Sequence, residues 1–293
     1  MTGSARITTK LGRCRSYAAA LYIAASGSAV VLADGGVEQG RYLIHAGGCI
    51  TCHTQDADDA IPLTGGRALE SPFGTFYSPN ITPDVETGIG GWSDDQFVDA
   101  FWLGTNPGGD HYFPAFPYPS YTGVSREDLL AMKAYLFSLE PVHSPPREHD
   151  LPFVMSSRAA AGLWKGRYFE PGRFTPDPDE SDQWNRGAYL VRHLGHCGEC
   201  HTPRNSFGKL LQNQELAGNA DGPAGEKMPN ITGAEDGIGD WSIRDVEYFL
   251  DIGMLPDGDF AGGSMGPVIE DNTSHLTQDD RLAISTYLKS LPK

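Results

Sequence analysis

Apolar residues recur at helical spacing in two stretches that resemble one another. Leu129, Leu130, Met132, Tyr135, Leu136 and Leu139 follow a Ser125/Asp128 start signal, and Leu282, Ile284, Tyr287, Leu288 and Leu291 follow Thr277. This pattern predicts an amphipathic helix closing each half of the chain. The likeness extends upstream. GRYLIHAGGCITCHT in the first half answers GAYLVRHLGHCGECHT in the second, and PNITPDVETGIGGWSDDQFVDAF answers PNITGAEDGIGDWSIRDVEYFL. Two homologous, mainly α domains are expected, over 34–142 and 184–293, each reading as helix, irregular loops, short helix, loop and helix. Between them, residues 143–183 hold six prolines and form a connector with one expected helix around Met155–Tyr168. Its aromatics Trp164, Tyr168 and Phe169 are expected to pack against a domain.

The N-terminus has a different pattern. Arg6, Lys10, Arg13 and Arg15 precede an apolar run from about Ala18 to Leu32, and the small-residue site Val31-Leu32-Ala33 follows. These features describe a secretory signal peptide over 1–33, cleaved near Ala33. Ser26, Gly27 and Ser28 interrupt the run, which is short for an anchor, so no stable membrane span is expected in the mature chain. Export implies the periplasm. Cys14 lies upstream of the cleavage point, and no cysteine follows that point directly.

Charge narrows the partners. With 22 basic and 38 acidic residues the net charge is −16, which argues against nucleic acid and against anionic membrane surfaces.

The four cysteines beyond the leader sit in two copies of one motif, Cys49-Ile50-Thr51-Cys52-His53 and Cys197-Gly198-Glu199-Cys200-His201. C-x-x-C-H is the attachment signature of c-type haem: two thiols add to the porphyrin vinyl groups, and the adjoining His53 or His201 becomes the proximal iron ligand. One helical turn points both sulfurs and the imidazole to the same side. A thioredoxin-like pair would need a βαβ context, a zinc finger a second histidine pair, and structural disulfides would leave the histidines unexplained. Two covalently bound haem c groups are therefore expected. They also account for the long Gly- and Pro-rich loops, because a large apolar ring can be wrapped by segments that could not bury one another.

The second axial ligand differs between the halves. Met265, in GGSMGP upstream of the closing helix, is the expected ligand of the second iron, with Met228 and Met254 as competitors. The register that aligns Trp92 with Trp241 runs on from Gly104/Gly253 to Pro107/Pro256, where it pairs Phe116 with Met265 and His111 with Phe260. Phenylalanine cannot ligate iron. His111 is the replacement expected for the first iron, the alternatives being a five-coordinate haem or ligation by Met132 or Met155. Trp92 and Trp241 are expected either to donate to haem propionates or simply to pack. Asn80 and Asn230 in P-N-I-T are expected to cap turns. His45, His143, His149, His193, His196 and His275 are expected to be structural or exposed.

The sequence resembles the multihaem cytochrome c subunits of periplasmic alcohol, sugar and gluconate dehydrogenases and their two-haem relatives. The resemblance covers nearly all of the mature chain and rests on SPFGTFYSPNITPDVETGIGGWS, HYFPAFPYPSYTGV, WNRGAYLVRHLGHCGECHTPRN and the closing AYLFSLEPV and TYLKSLPK. It implies two class I-like cytochrome c domains in tandem. It also implies an electron-transfer protein or subunit that takes electrons from a dehydrogenase and delivers them to an oxidase or another cytochrome. Better-known members read P-A-M-P-Y-P-S-Y, with methionine as ligand where this chain has Phe116. They usually also carry a third haem domain and a membrane-binding tail, neither of which is expected here. The alternative function is a haem enzyme, of peroxidase or thiosulfate-oxidising type, working at the first haem.

Overall fold

Local start and stop signals define most of the helices. In α3 (Asp94–Leu103) the Ser93 hydroxyl accepts from the Gln96 amide while the Gln96 side chain accepts from the Ser93 amide, and Gly104 closes the helix in the left-handed region at φ 61°. The counterpart α9 (Ile243–Ile252) has the same box from Ser242 and Asp245 and the same stop at Gly253, φ 77°. The closing helices α5 (Arg126–Ser138) and α11 (Gln278–Ser290) start on Ser125 and Thr277, each accepting from the amide three residues on. Both amphipathic stretches are thus helical as expected.

The computed structural model describes residues 1–3, 26–153, 155–222 and 225–292, with side chains of the first helix from Gly36 onward. The basic residues Arg6, Lys10, Arg13 and Arg15 and the apolar run up to residue 25 lie outside the described residues. Helix α1 (Ser26–Ala46) runs through the expected cleavage point at Ala33. Then come α2 (Cys49–His53), the hairpin β1 (Ala68–Ser71) and β2 (Gly74–Tyr77), α3, α4 (Tyr118–Tyr121) and α5. The connector holds α6 (Arg158–Tyr168), which begins at Arg158 rather than Met155 because the Ser157 hydroxyl caps it. The second half repeats the order with α7 (Asp182–Tyr189), α8 (Gly198–His201), α9, α10 (Met265–Asp271) and α11. The structure is mainly helical with one small sheet, registered Ala68 to Tyr77 and Ser71 to Gly74. No described helix is long and apolar enough to cross a membrane.

Each half is built on the same close crossing. α1 packs on α5 at Gly40, where a Cβ would fall on the Ala131 carbonyl; α7 packs on α11 at Gly187, where it would fall on the Ala283 carbonyl. Only glycine lets the backbones approach that closely. Leu43, Ile44, Leu129 and Met132 are fully buried in the first crossing, as Leu190, Val191 and Tyr287 are, to within a few per cent, in the second. Burying such a side chain stabilises the fold by about 1.5–3 kcal/mol.

The halves also exchange hydrogen bonds reciprocally. The Tyr42 hydroxyl of α1 donates to Asp280 of α11, and the equivalent Tyr189 hydroxyl of α7 donates to Asp128 of α5, both at 2.5 Å. Arg186 adds a two-pronged contact to Asp280 at 2.8 and 2.7 Å. One point of contact is therefore used twice, as across a two-fold axis.

Candidate functional site

The thiols and imidazoles of both C-x-x-C-H motifs lie on short helical turns, α2 and α8, directly after the crossing helices. The chain reaches α2 through Gly48 at φ 66° and α8 through His196 at φ 41°. It reaches the second turn by a different route too, since α7 passes into a π-helical segment, Leu190–Leu194, before His196. No disulfide joins the four motif cysteines. Burial, then the neighbouring thiol, pushes Cys49 and Cys197 up to about 12, and burial lifts Cys200 to about 11. These groups stay protonated at neutral pH, unlike the activated thiolate of a redox pair.

Both histidines are oriented by the same device. The His53 Nδ1–H donates to the Pro79 carbonyl at 2.7 Å, and the His201 Nδ1–H to the Pro229 carbonyl at 2.8 Å. A carbonyl can only accept, so the proton is on Nδ1 and the Nε2 lone pair is free. Burial lowers the proton affinity of both rings and keeps them neutral, the form that binds a metal.

The loop that brings each proline into place is duplicated as well. The Gly65 amide donates to the His53 carbonyl at 2.7 Å and the Gly218 amide to the His201 carbonyl at 2.8 Å. The Thr54 and Thr202 hydroxyls accept from the amides of Leu63 and Leu216. Leu63 and Leu216 sit in the left-handed region at φ 66° and 61°. Such a conformation costs a branched side chain about 1–2 kcal/mol, and here it recurs at the same place beside each histidine. The Asn80 and Asn230 side chains accept from the amides of Thr82 and Thr232 at 2.9 and 2.8 Å, so both asparagines cap turns.

The remaining candidates divide. Trp92 and Trp241 are partly buried against the core, and neither indole N–H donates to a protein group among the described residues. Trp102, Trp164 and Trp184 all donate. Met265 opens α10, partly buried. Phe116, its counterpart, lies among aromatics: Phe101 at 5.3 Å, Tyr112 at 5.5 Å and Tyr121 at 5.6 Å between ring centroids. His111 pairs with Thr105 just as Phe260 pairs with Met254. Its ring lies against Gly162 of α6, where a Cβ would come within 2.5 Å of Cδ2, and its Nδ1 is buried without a partner. Met132 is fully buried in the helix crossing, while Met155 is 39% exposed.

Sequence reasoning missed Pro79 and Pro229, having weighed P-N-I-T only for its asparagine. Its recurrence at nearly equal distance from each C-x-x-C-H was the available signal. It also missed the contact between the motifs, where the Tyr121 hydroxyl donates to the Gly47 carbonyl at 2.6 Å and the His196 ring meets Tyr121 edge-on at 5.2 Å. Of the histidines without a motif, His45 stacks on His275 at 3.9 Å, and His149 accepts from the Tyr77 amide.

No family model matches the sequence. Comparison with curated proteins gives long, even matches. Over 263 residues the chain is 42% identical to a dihaem c-type cytochrome of Cereibacter sphaeroides, covering 88% of this chain and 86% of that one. The chain belongs to the c-type cytochromes. This cytochrome is also 41% identical over 268 residues to the gluconate 2-dehydrogenase cytochrome c subunit of Pantoea cypripedii. It is 40% identical over 259 residues to the fructose dehydrogenase cytochrome subunit of Gluconobacter japonicus. Those matches take in 88% and 87% of this chain but only 60% and 52% of the two subunits.

Proposed function

We propose that the chain is an exported, periplasmic dihaem carrier that passes single electrons from a dehydrogenase-type donor to another cytochrome or an oxidase. Its halves, 34–142 and 184–293, are read as tandem class I-like cytochrome c domains joined by the 143–183 connector. The observation that carries the proposal is the duplicated histidine: two thiols on one helical turn and an imidazole fixed by a proline carbonyl with Nε2 free, present twice in one chain. This donor set fits covalent haem c at Cys49/Cys52 and Cys197/Cys200, with His53 and His201 proximal. Haem, when bound, supplies reversible one-electron iron chemistry.

The residues do the rest. The proline carbonyls hold each imidazole in one tautomer and orientation, so a change of iron charge need not be met by ring movement. Trp92 and Trp241 offer unengaged indole N–H donors to propionates. Met265 is proposed as the distal ligand of the second iron, and a thioether there raises its potential. His111 is the nitrogen donor proposed for the first iron; its buried, unpartnered Nδ1 supports that role.

A second reading, an open first iron serving haem enzyme chemistry, is favoured by Phe116 at the methionine place and by the seat of the His111 ring against Gly162. Spectra of the purified holoprotein in both oxidation states, with and without carbon monoxide, decide between them. The carrier reading expects two covalent haems per chain, a far-red sulfur-to-iron band from one ferric centre, and no carbon monoxide adduct. An adduct on half the haem favours the enzyme. His111→Ala should turn one iron high-spin if the ring is a ligand, and change no spectrum if it is not.

A further inference from the structure

Helix α6 is seated on the first half by contacts whose receptors are present again on the second half. Lys165 Nζ donates to the Leu103 carbonyl at 2.5 Å and to the Gly104 carbonyl at 3.3 Å, at the negative end of α3. Arg158 donates to the His111 carbonyl at 3.3 Å. Gly162, between the two cations, is the point against which the His111 ring rests. Arg158, Gly162 and Lys165 lie four and three residues apart and so share one helix face.

The second half reproduces this seat almost bond for bond. The turn after α3 closes with Asn106 N to Asp110 O at 2.9 Å and Tyr112 N to Gly104 O at 2.9 Å. The turn after α9 closes with Leu255 N to Asp259 O and Ala261 N to Gly253 O, both at 2.8 Å. Ile252, Gly253 and Phe260 stand where Leu103, Gly104 and His111 stand. Gly253 is buried against Ile269 and Ala261, but Ile252 and Phe260 are 51% and 60% exposed, against 40% for Leu103 beside α6, and they line an open cleft of about 270 Å³ with Ile269 and Glu270.

Charge differs in a telling way. Where the first half has Gly108 and Tyr121, the second has Asp257 and Glu270; neither of these, nor Asp259, is in a salt bridge among the described residues, while Asp251, which also lines the cleft, is held by Arg281 at 3.1 Å. An apolar cleft at a helix C-terminus, with Glu270 in its lining and Asp257 and Asp259 in the turn that leads to Phe260, suits a cationic helix.

We propose that this bare seat on the second half docks a cationic amphipathic helix of a partner protein, in the manner in which α6 docks on the first. The helix carries a small residue against Phe260, with a basic residue four positions before it and another three positions after. It lies beside the Met265 end of α10, so on the carrier reading above the partner is a redox protein that meets the second centre.

The test uses the full-length holoprotein and, as probe, a hydrocarbon-stapled peptide of residues 157–169, titrated by fluorescence anisotropy. Haem content is measured on the same sample, so failure of the haem reading is seen separately from failure of docking. Saturable binding is expected, about tenfold weaker for Phe260→Lys protein and for peptides carrying Lys165→Glu or Gly162→Leu. Val85→Lys, on the exposed surface of the first half, is expected to leave binding unchanged. Absence of saturable binding, or binding indifferent to these changes, overturns the proposal. So does sedimentation showing that the chain dimerises through this face and that Phe260→Lys abolishes the dimer, since the occupant is then a second copy.

Discussion

The two halves use one set of crossings, caps and histidine supports, yet they solve three equivalent positions differently. Below the closing helix the first half buries the apolar groups Val98 and Leu129, where the second half buries Glu247 and Arg281 as an ion pair at 3.2 Å. In the loop before the closing helix Phe116 stands where the second half has Met265. On entry to the cysteine motifs Gly48 faces His196. What orients each motif histidine is repeated, while the residues around it are not. Repeated features include strained ones, such as left-handed Leu63 and Leu216, so the histidine loop is held to one geometry at a cost in backbone energy.

The largest effect should come from removing thiols. Cys49→Ser/Cys52→Ser and Cys197→Ser/Cys200→Ser should each halve the covalent haem, measured by the pyridine haemochrome and by mass; if either pair leaves the ratio unchanged, the halves are not equivalent attachment sites. Next in size is the buried ion pair. Glu247→Ala leaves Arg281 with Asp251, at 3.1 Å, as its remaining acid and should cost about 1–3 kcal/mol in denaturant unfolding, whereas importing the first half's solution as Glu247→Val/Arg281→Leu should be neutral or stabilising.

At the distal loop, Met265→Ala should abolish the far-red band, and Phe116→Met should add a second one and raise the potential of the first centre, both read by spectroelectrochemistry. A smaller effect concerns acid. Burial works against the Asp280 carboxylate, but its bonds from Arg186 and Tyr42 outweigh that and hold it below the usual carboxylate range. Its stabilisation is therefore present above about pH 4 and lost as pH falls through the lowered folded value. Unfolding midpoints measured from neutral pH down to about pH 2 should fall less steeply for Asp280→Asn than for the native chain.

The features legible in the sequence were those written locally or written twice. Ser93, Ser125, Ser242 and Thr277 announce their helices, and the repeat announced the shared helix order. The hairpin at 68–77 escaped because its strands are short and neither face is strongly apolar. The start of α6 was misplaced because apolar Met155 drew the boundary past Ser157. The proline carbonyls escaped because a main-chain acceptor leaves no trace in residue type. The contacts of Tyr42 with Asp280 and of Tyr189 with Asp128 span 238 and 61 residues, and no local pattern encodes partners so far apart.

Those reciprocal tyrosine–aspartate bonds bear on ancestry. Identical subunits meet by offering the same residue in both directions, and here one chain meets itself that way. A homodimer of a single-domain ancestor, fused after gene duplication, would leave this imprint. Residues on the old dimer axis stay paired, while those away from it, Phe116 and Met265 among them, are free to diverge. With such an interface already holding the copies together, the connector need not do so, and its helix α6 covers the outer face of one copy alone.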